Sequence, residues 1–126
     1  MTANSLEPRQ VTVLVVDDSD DQRQLMRAHF QRAGCDVLLA GTGEEGVAKA
    51  RIYGPQLAIV DLLLPGISGW QVAAQLRTDV PNCAIAISSV LDAGEYPAAD
   101  ARLPKPVTGD QIRRMLAQLV PEWKAR

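Results

Sequence analysis

Residues 57–66 read Leu-Ala-Ile-Val-Asp-Leu-Leu-Leu-Pro-Gly and join an apolar run to a charged turn. The four apolar residues at 57–60 predict a strand that is buried on both faces, as in a parallel sheet. Asp61 follows at once, and the Pro-Gly pair predicts a turn. Open α/β sheets bind their ligands beyond the carboxyl ends of the strands, so Asp61 is a candidate functional residue.

The rest of the chain repeats this pattern of apolar runs and amphipathic stretches. Further runs lie at 11–16, 36–40, 84–88 and, more weakly, 101–103. Ser or Thr followed three residues later by Glu or Gln is the capping-box pattern, which marks helix starts. It begins at Ser19, Thr42, Ser68 and Thr108. Right-handed crossovers then predict an α/β sandwich of three layers around a five-stranded parallel sheet.

Size and composition narrow the class of protein. The 126 residues fit one domain, and a net charge of −2 gives no electrostatic reason to expect nucleic acid or an anionic membrane as partner. No run reaches transmembrane length, and residues 1–10 lack the apolar core of a signal peptide. Cys35 and Cys83 form no CxxC pair, so we expect buried free thiols and a cytoplasmic protein.

Carboxylates follow two of the expected strands. The run at 11–16 ends on Asp17-Asp18, and the run at 57–60 ends on Asp61. Carboxylates that converge at one sheet edge raise one another's pKa unless a cation joins them, and Mg²⁺ prefers such oxygen ligands. Asp17-Asp18 alone would fit equally an acidic pair favoured by the dipole of the following helix.

Two further side chains are expected at the same edge. Ser88 ends the fourth run, and Lys105 follows the fifth. Carboxylates, a hydroxyl and a lysine together suit phosphoryl transfer, in which negative charge spreads over three oxygens that need cationic and hydrogen-bonding partners.

Taken in their order along the chain, these motifs resemble those of the response-regulator receiver domains of two-component signalling. The matching stretches are Val15–Asp18, Asp61–Gly69, Ile87–Ser89 and Lys105-Pro106. The resemblance implies a flavodoxin-like, doubly wound sheet with strand order 2-1-3-4-5. It also implies that residues 11–126 form the receiver domain, behind a flexible tail at 1–10.

The resemblance assigns the acidic residues. Asp61 would be the phosphoacceptor, phosphorylated from a sensor histidine kinase or a histidine phosphotransfer protein in a Mg²⁺-dependent reaction. Asp18 would bind Mg²⁺ directly and Asp17 mainly through water. Asp61 itself and the main-chain carbonyl of Leu63 would complete the protein ligands.

The resemblance also assigns the remaining edge residues. Lys105 would pair with Asp61 and then with the phosphoryl group, and the Lys105–Pro106 peptide would be cis. Ser88 would hydrogen-bond the phosphoryl group and act in the conformational switch. Such a domain is not a dedicated enzyme. It would be a monomer or weak dimer that signals to a downstream protein which the sequence does not identify.

Two features depart from the family pattern. The segment 89–104 is about one helical turn shorter than is usual, and it contains Gly94 and Pro97, which oppose a long helix. We therefore expect the fourth helix of the series, between the fourth and fifth strands, to be short or missing. Arg102 stands where receivers usually carry an aromatic switch residue, and we expect it at the surface, with the usual switch replaced.

Two other functions are compatible with this architecture. A pseudo-receiver would keep the fold as a protein-interaction module without phosphorylation, and the reshaped 89–104 segment would suit it. A nucleotide- or flavin-binding enzyme on the same architecture would need a Gly-rich or Ser/Thr-rich phosphate loop after the first strand. Residues 17–21 read Asp-Asp-Ser-Asp-Asp instead, which repels phosphate without a metal.

Overall fold

The computed structural model describes residues 11–90 and 99–124, so the expected tail at 1–10 lies outside the described residues. The elements in chain order are β1 (Thr12–Val16), α1 (Asp20–Arg32), β2 (Asp36–Ala40), α2 (Gly43–Tyr53), β3 (Leu57–Val60), α3 (Gly69–Asp79), β4 (Ala84–Ile87), β5 (Ala101–Arg102) and α4 (Gly109–Leu119). Each strand agrees with its predicted run to within one residue at either end. In the two described ranges, no helix has the length and apolar character needed to cross a bilayer.

The five strands form one parallel sheet in the predicted order, β2-β1-β3-β4-β5. In its centre Val16 pairs with Val60, and Val60 pairs with Ile87. The ladder runs one residue further, since Asp61 N–H donates to Val16 O at 2.9 Å and Ser88 N–H donates to Val60 O at 3.0 Å. The polar residues that follow these strands therefore share one level at the carboxyl edge of the sheet.

Helices cover both faces of the sheet, as the predicted three-layer sandwich requires. Val13 and Val15 of β1 pack in a cluster with apolar residues of α1 and α4. Leu14 and Val16 pack in a second cluster with residues of α2 and α3. This alternation is the two-residue period of a strand that is buried on both sides. Cys35 and Cys83 are free and buried, one in each cluster, as expected.

All four predicted capping residues are the N-caps of their helices. Ser68 and Thr108 form complete capping boxes, whereas at Ser19 and Thr42 the N-cap N–H does not donate to the side chain at the third helical position. The prediction of four helix starts is therefore confirmed, although only two of the four boxes are complete. Competing local hydrogen bonds explain both, because Ser19 N–H donates to Asp17 Oδ1 at 2.9 Å and the Glu45 carboxylate accepts from Gly41 N–H at 2.8 Å.

The end of α1 is closed by local backbone geometry and by the C-terminal segment. Gly34 has φ +87°, a left-handed conformation that glycine commonly adopts at the residue after a helix. The indole N–H of Trp123 donates to the Ala33 carbonyl at 2.8 Å, which satisfies a carbonyl at the helix terminus. The C-terminal segment is thereby fastened to α1.

The connection from β4 to β5 is described only at its two ends. The expected short or missing helix falls on residues 91–98, which lie outside the described residues, and the flanks at 88–90 and 99–100 are not helical. Strand β5 has only two residues, and Asp100 strengthens its pairing with β4. Asp100 N–H donates to Ile85 O at 2.9 Å, and its Oδ2 accepts from Ile85 N–H at 2.8 Å. The same carboxylate lies 3.2 Å from Arg77 Nη1.

Replacing Asp100 by Ala should destabilise the protein by about 1–3 kcal/mol, because the Ile85 amide loses its acceptor in a partly buried position. Asp79→Ala is the matched control. Its carboxylate pairs with Arg51 and is 26% exposed, against 33% for Asp100, and its described bonds go to that guanidinium alone. Urea unfolding should show a loss below about 1 kcal/mol for the control. Equal losses would contradict the role given to Asp100.

Candidate functional site

Three carboxylates meet at the carboxyl edge of the sheet. Asp17, Asp18 and Asp61 each present an oxygen within 4.8 Å of the others. Asp17 is 3% and Asp61 7% exposed, whereas Asp18 is open to solvent. Such oxygens fit a hard divalent cation that keeps some of its water on the open side, as Mg²⁺ does. The sequence prediction that these residues converge is confirmed.

The loop after β3 fixes the orientation of Asp61. Leu63 N–H donates to Asp61 Oδ1 at 3.2 Å, so Leu63, the expected source of a carbonyl ligand, lies beside the acidic group. The loop is closed by α3, where Gly69 N–H donates to the Leu62 carbonyl at 3.1 Å. The three carboxylates, together with this main-chain segment, are the residues that could hold a metal.

Lys105 connects two of the carboxylates. Its Nζ lies 2.9 Å from Asp17 Oδ2 and 3.3 Å from Asp61 Oδ2. The expected pairing with Asp61 is present, but the shorter contact is with Asp17. The Lys105–Pro106 peptide is cis, as the resemblance implied, and Lys105 N–H donates to the Ser89 carbonyl at 3.2 Å. The lysine is thus held at backbone and side chain beside the acidic group.

The pKa values of Asp61 and Lys105 are set by burial and by the unequal contacts of Lys105 with the two carboxylates. Burial raises the pKa of Asp61 and outweighs the opposing effects of the Lys105 charge and the Leu63 N–H, while the nearby Asp17 raises it further. For Lys105, burial alone would lower the pKa, but the hydrogen bond and charge of Asp17, followed by those of Asp61, raise it. The lysine therefore stays cationic, and Asp61 is the carboxylate that burial penalises.

Ser88 contributes a hydroxyl with unusual surroundings. The residue is 1% exposed, and its Oγ is a buried side-chain oxygen with no hydrogen-bond partner in the described structure. It stands in register beside Asp61, in the row that includes Ile59 and Ala86 on the α1 and α4 side of the sheet. An unsatisfied buried hydroxyl costs about 1–3 kcal/mol and calls for a functional explanation. A ligand bound to Asp61 would supply the missing partner.

Arg102 lies on β5, where it pairs with Ile87, and it is exposed as predicted. Its part in a conformational switch stays a prediction, because the segment that would move with it includes residues 91–98, outside the described part of the chain.

Gly69 is a site residue that the sequence reasoning missed. A Cβ at this position would lie 2.2 Å from the Asp61 carbonyl oxygen and 2.5 Å from Leu62 Cα. Only glycine lets the start of α3 approach the backbone of the acidic residue so closely. The available signal was a glycine directly after the Ser68 cap, at the first position of a helix.

The fold and the site together define an α/β domain whose acidic sheet edge also carries a lysine and a buried hydroxyl. The chain matches the profile of the response regulator receiver domain over residues 13–117. It therefore belongs to that family, the receiver domains of two-component signalling systems.

Relatives of known identity agree with this assignment. Protein PilH of Pseudomonas aeruginosa is 36% identical over 75 residues, which cover 60% of this chain and 62% of PilH. The sensor histidine kinase AtsR of Burkholderia thailandensis is 32% identical over 123 residues, covering 88% of this chain and 20% of AtsR. The chain thus spans less than two thirds of the length of these curated relatives.

Solved structures show the same fold. The response regulator TrrA of Thermotoga maritima, in complex with Mg(2+)-BeF, superposes with a TM-score of 0.81 at 27% identity, covering 88% of this chain and all of that chain (100%). The chemotaxis response regulator CheY4 of Vibrio cholerae gives 0.80 at 25% identity, covering 89% and 100%.

Gly69→Ala should destabilise the protein by about 1–3 kcal/mol or more, because the added methyl group meets rigid backbone. Gly109→Ala is the matched control, since Gly109 holds the same first position of α4 and its nearest neighbour would be His29 Nδ1 at 3.6 Å. The control should be neutral or slightly stabilising because alanine favours the helix. Urea unfolding measures both, and equal effects would contradict the close approach.

Asp61→Asn should stabilise the metal-free protein at neutral pH. The raised pKa means that the folded state binds a proton more readily than the unfolded chain, so stability falls as pH rises between the unfolded pKa, about 3.9, and the folded one. The gain in unfolding free energy should therefore be largest at neutral pH and shrink below that window. Unfolding in EDTA across this pH range tests it, and a gain that grows on acidification would contradict it.

Proposed function

We propose that this receiver domain accepts a phosphoryl group on Asp61 from the phosphohistidine of a sensor histidine kinase or a histidine phosphotransfer protein. The observation that carries the proposal is the Lys105 ammonium between two buried carboxylates, beside a buried hydroxyl that has no partner among the described residues. The kinase AtsR and the Mg(2+)-BeF complex of TrrA, both similar to this chain, support it.

In the transfer, an oxygen of Asp61 forms a bond to phosphorus while the bond from phosphorus to the histidine nitrogen breaks. The electron pair of that bond returns to the imidazole of the donor. Asp61 reacts as the carboxylate. Burial disfavours this charged form, and the neighbouring Lys105 ammonium favours it. The hydrogen bond from Leu63 N–H orients the carboxylate at the same time.

Asp17, Asp18, Asp61 and the Leu63 carbonyl would hold Mg²⁺. When bound, the ion supplies positive charge that offsets the carboxylates and the transferring oxygens. Lys105 supplies a second cation, whose raised pKa keeps it charged throughout the physiological range. Ser88 donates its hydroxyl proton to a phosphoryl oxygen. Each charge that develops on the phosphoryl group thus meets a positioned partner.

Phosphorylation also supplies a switching force. The phosphoryl group adds a charge of roughly −1.5 to −2, which attracts the Lys105 ammonium and the Ser88 hydroxyl. Lys105 is bonded through its backbone to Ser89, so movement at the site reaches the connection between β4 and β5. We infer that the domain, residues 11–126, contacts a downstream protein through the connection between β4 and β5. We expect it to act in the cytoplasm as a monomer or weak dimer.

Incubation with acetyl phosphate and Mg²⁺, followed by intact mass measurement, tests the reaction. The unmodified chain should gain one phosphoryl group, and EDTA should prevent it. Asp61→Asn should gain none, whereas Asp79→Asn, a carboxylate on α3 away from the site, should react normally. A chain that never reacts, or an adduct that survives in Asp61→Asn, would contradict the proposal and favour a pseudo-receiver.

Ser88→Ala should have opposite effects on stability and on phosphorylation. Removing a buried hydroxyl that finds no partner in the described part of the chain should raise the unfolding free energy by about 1 kcal/mol or more. It should also slow phosphorylation by acetyl phosphate, because a phosphoryl oxygen loses its donor. Urea unfolding and timed mass spectra measure the two effects. Lower stability with an unchanged rate would contradict the role assigned to Ser88.

A further inference from the structure

Arg23 on α1 reaches back to the acidic loop that precedes its helix. Its side chain is only 19% exposed, although it carries a permanent charge. Nη1 donates to the main-chain carbonyl of Asp17 at 2.7 Å, and Nη2 lies 3.2 Å from the exposed carboxylate of Asp20. Gly41 borders the guanidinium, since a Cβ there would lie 3.2 Å from Nη1.

The carbonyl that Arg23 binds belongs to the peptide joining Asp17 to Asp18. The other groups of Asp17 are engaged as well. Its N–H donates to Ala40 O at 3.1 Å, while Oδ1 accepts from Ser19 and Oδ2 from Lys105. Because a peptide is planar, fixing the Asp17 carbonyl also fixes the position of the Asp18 nitrogen. Arg23 is therefore placed to control how the exposed Asp18 carboxylate enters the acidic group.

We propose that Arg23 is a positioning residue for the Mg²⁺ site and orients the Asp17–Asp18 peptide through its bond to the Asp17 carbonyl. The proposal rests on the proposed function. It has a distinctive electrostatic consequence, because a cation near a metal site repels the metal. If Arg23 acted by charge alone, removing that charge would strengthen Mg²⁺ binding. If Arg23 acts by positioning, removing its side chain should instead weaken Mg²⁺ binding.

The test is the Mg²⁺ dissociation constant, measured by calorimetric titration of the full chain with magnesium chloride. Arg23→Gln should weaken binding by about 10–100-fold, the usual effect of losing a group that orients metal ligands. Arg23→Lys keeps the charge but loses the rigid fork that reaches the Asp17 carbonyl and Asp20 together, so it should also bind more weakly than the unmodified chain.

Arg27→Gln is the matched control. It removes the same charge from α1 one turn further along, where the described side-chain bond goes to Gln24. Its Mg²⁺ affinity should be unchanged or slightly higher. Gly41→Ala offers an independent perturbation, since it conserves charge and pushes the guanidinium by a few tenths of an ångström. We expect a smaller loss of affinity, of a few-fold.

Unfolding free energies in EDTA separate a folding defect from a binding defect. If Arg23→Gln fails to fold, Arg23→Lys and Gly41→Ala decide the question. Arg23 variants that fold and bind Mg²⁺ as tightly as the unmodified chain, or more tightly, would overturn the positioning role and leave the proposed function standing. An unmodified chain that binds no Mg²⁺ would overturn both.

Discussion

The register of the three central strands sets the geometry on which the rest of the site depends. Val16, Val60 and Ile87 lie at one level, and each is followed by a polar residue. Slipping one strand by a single residue would exchange its two buried faces and would move its polar residue away from the others. Burial on both sides, in two separate apolar clusters, makes such a slip costly.

Charge is the second constraint, because the register brings together carboxylates that repel one another. Lys105 offsets this repulsion within the protein, and its closer contact with Asp17 leaves burial to raise the pKa of Asp61. Asp61 is thus the buried carboxylate that lies farther from the Lys105 ammonium. A phosphoryl group on Asp61 would attract the Lys105 ammonium and accept a hydrogen bond from the Ser88 hydroxyl. Phosphorylation would therefore change contacts at the ends of β3 and β4 and in the segment after β5.

Much of this arrangement could be predicted from the sequence, because strands that are buried on both faces appear as continuous apolar runs. The bounds of β2 and β3 were predicted to the residue, and the convergence of Asp17, Asp18 and Asp61 follows from parallel topology. Contacts between loops could not be predicted in this way. The preference of Lys105 for Asp17 depends on where a long connection delivers the lysine.

Other features depend on how particular side chains and backbone atoms meet in three dimensions. No sequence pattern signals that the Ser88 hydroxyl finds no partner within residues 11–90 and 99–124. The same holds for the approach of Gly69 to the Asp61 carbonyl and for the bond from Arg23 to Asp17. The capping motif at Ser19 forms no complete box, since the Ser19 N–H donates to the Asp17 carboxylate two residues earlier instead. Sequence patterns describe the elements, whereas side-chain competition at the sheet edge becomes visible only in three dimensions.

The most direct test of the account is a crystal structure of the chain with Mg²⁺ and beryllofluoride, which imitates a phosphoryl group on a carboxylate. We expect the adduct on Asp61, with the Ser88 hydroxyl and the Lys105 ammonium each donating a hydrogen bond to one of its fluorine atoms. Absence of an adduct at Asp61, or an adduct that leaves Ser88 Oγ without a partner and Lys105 on Asp17 alone, would contradict it.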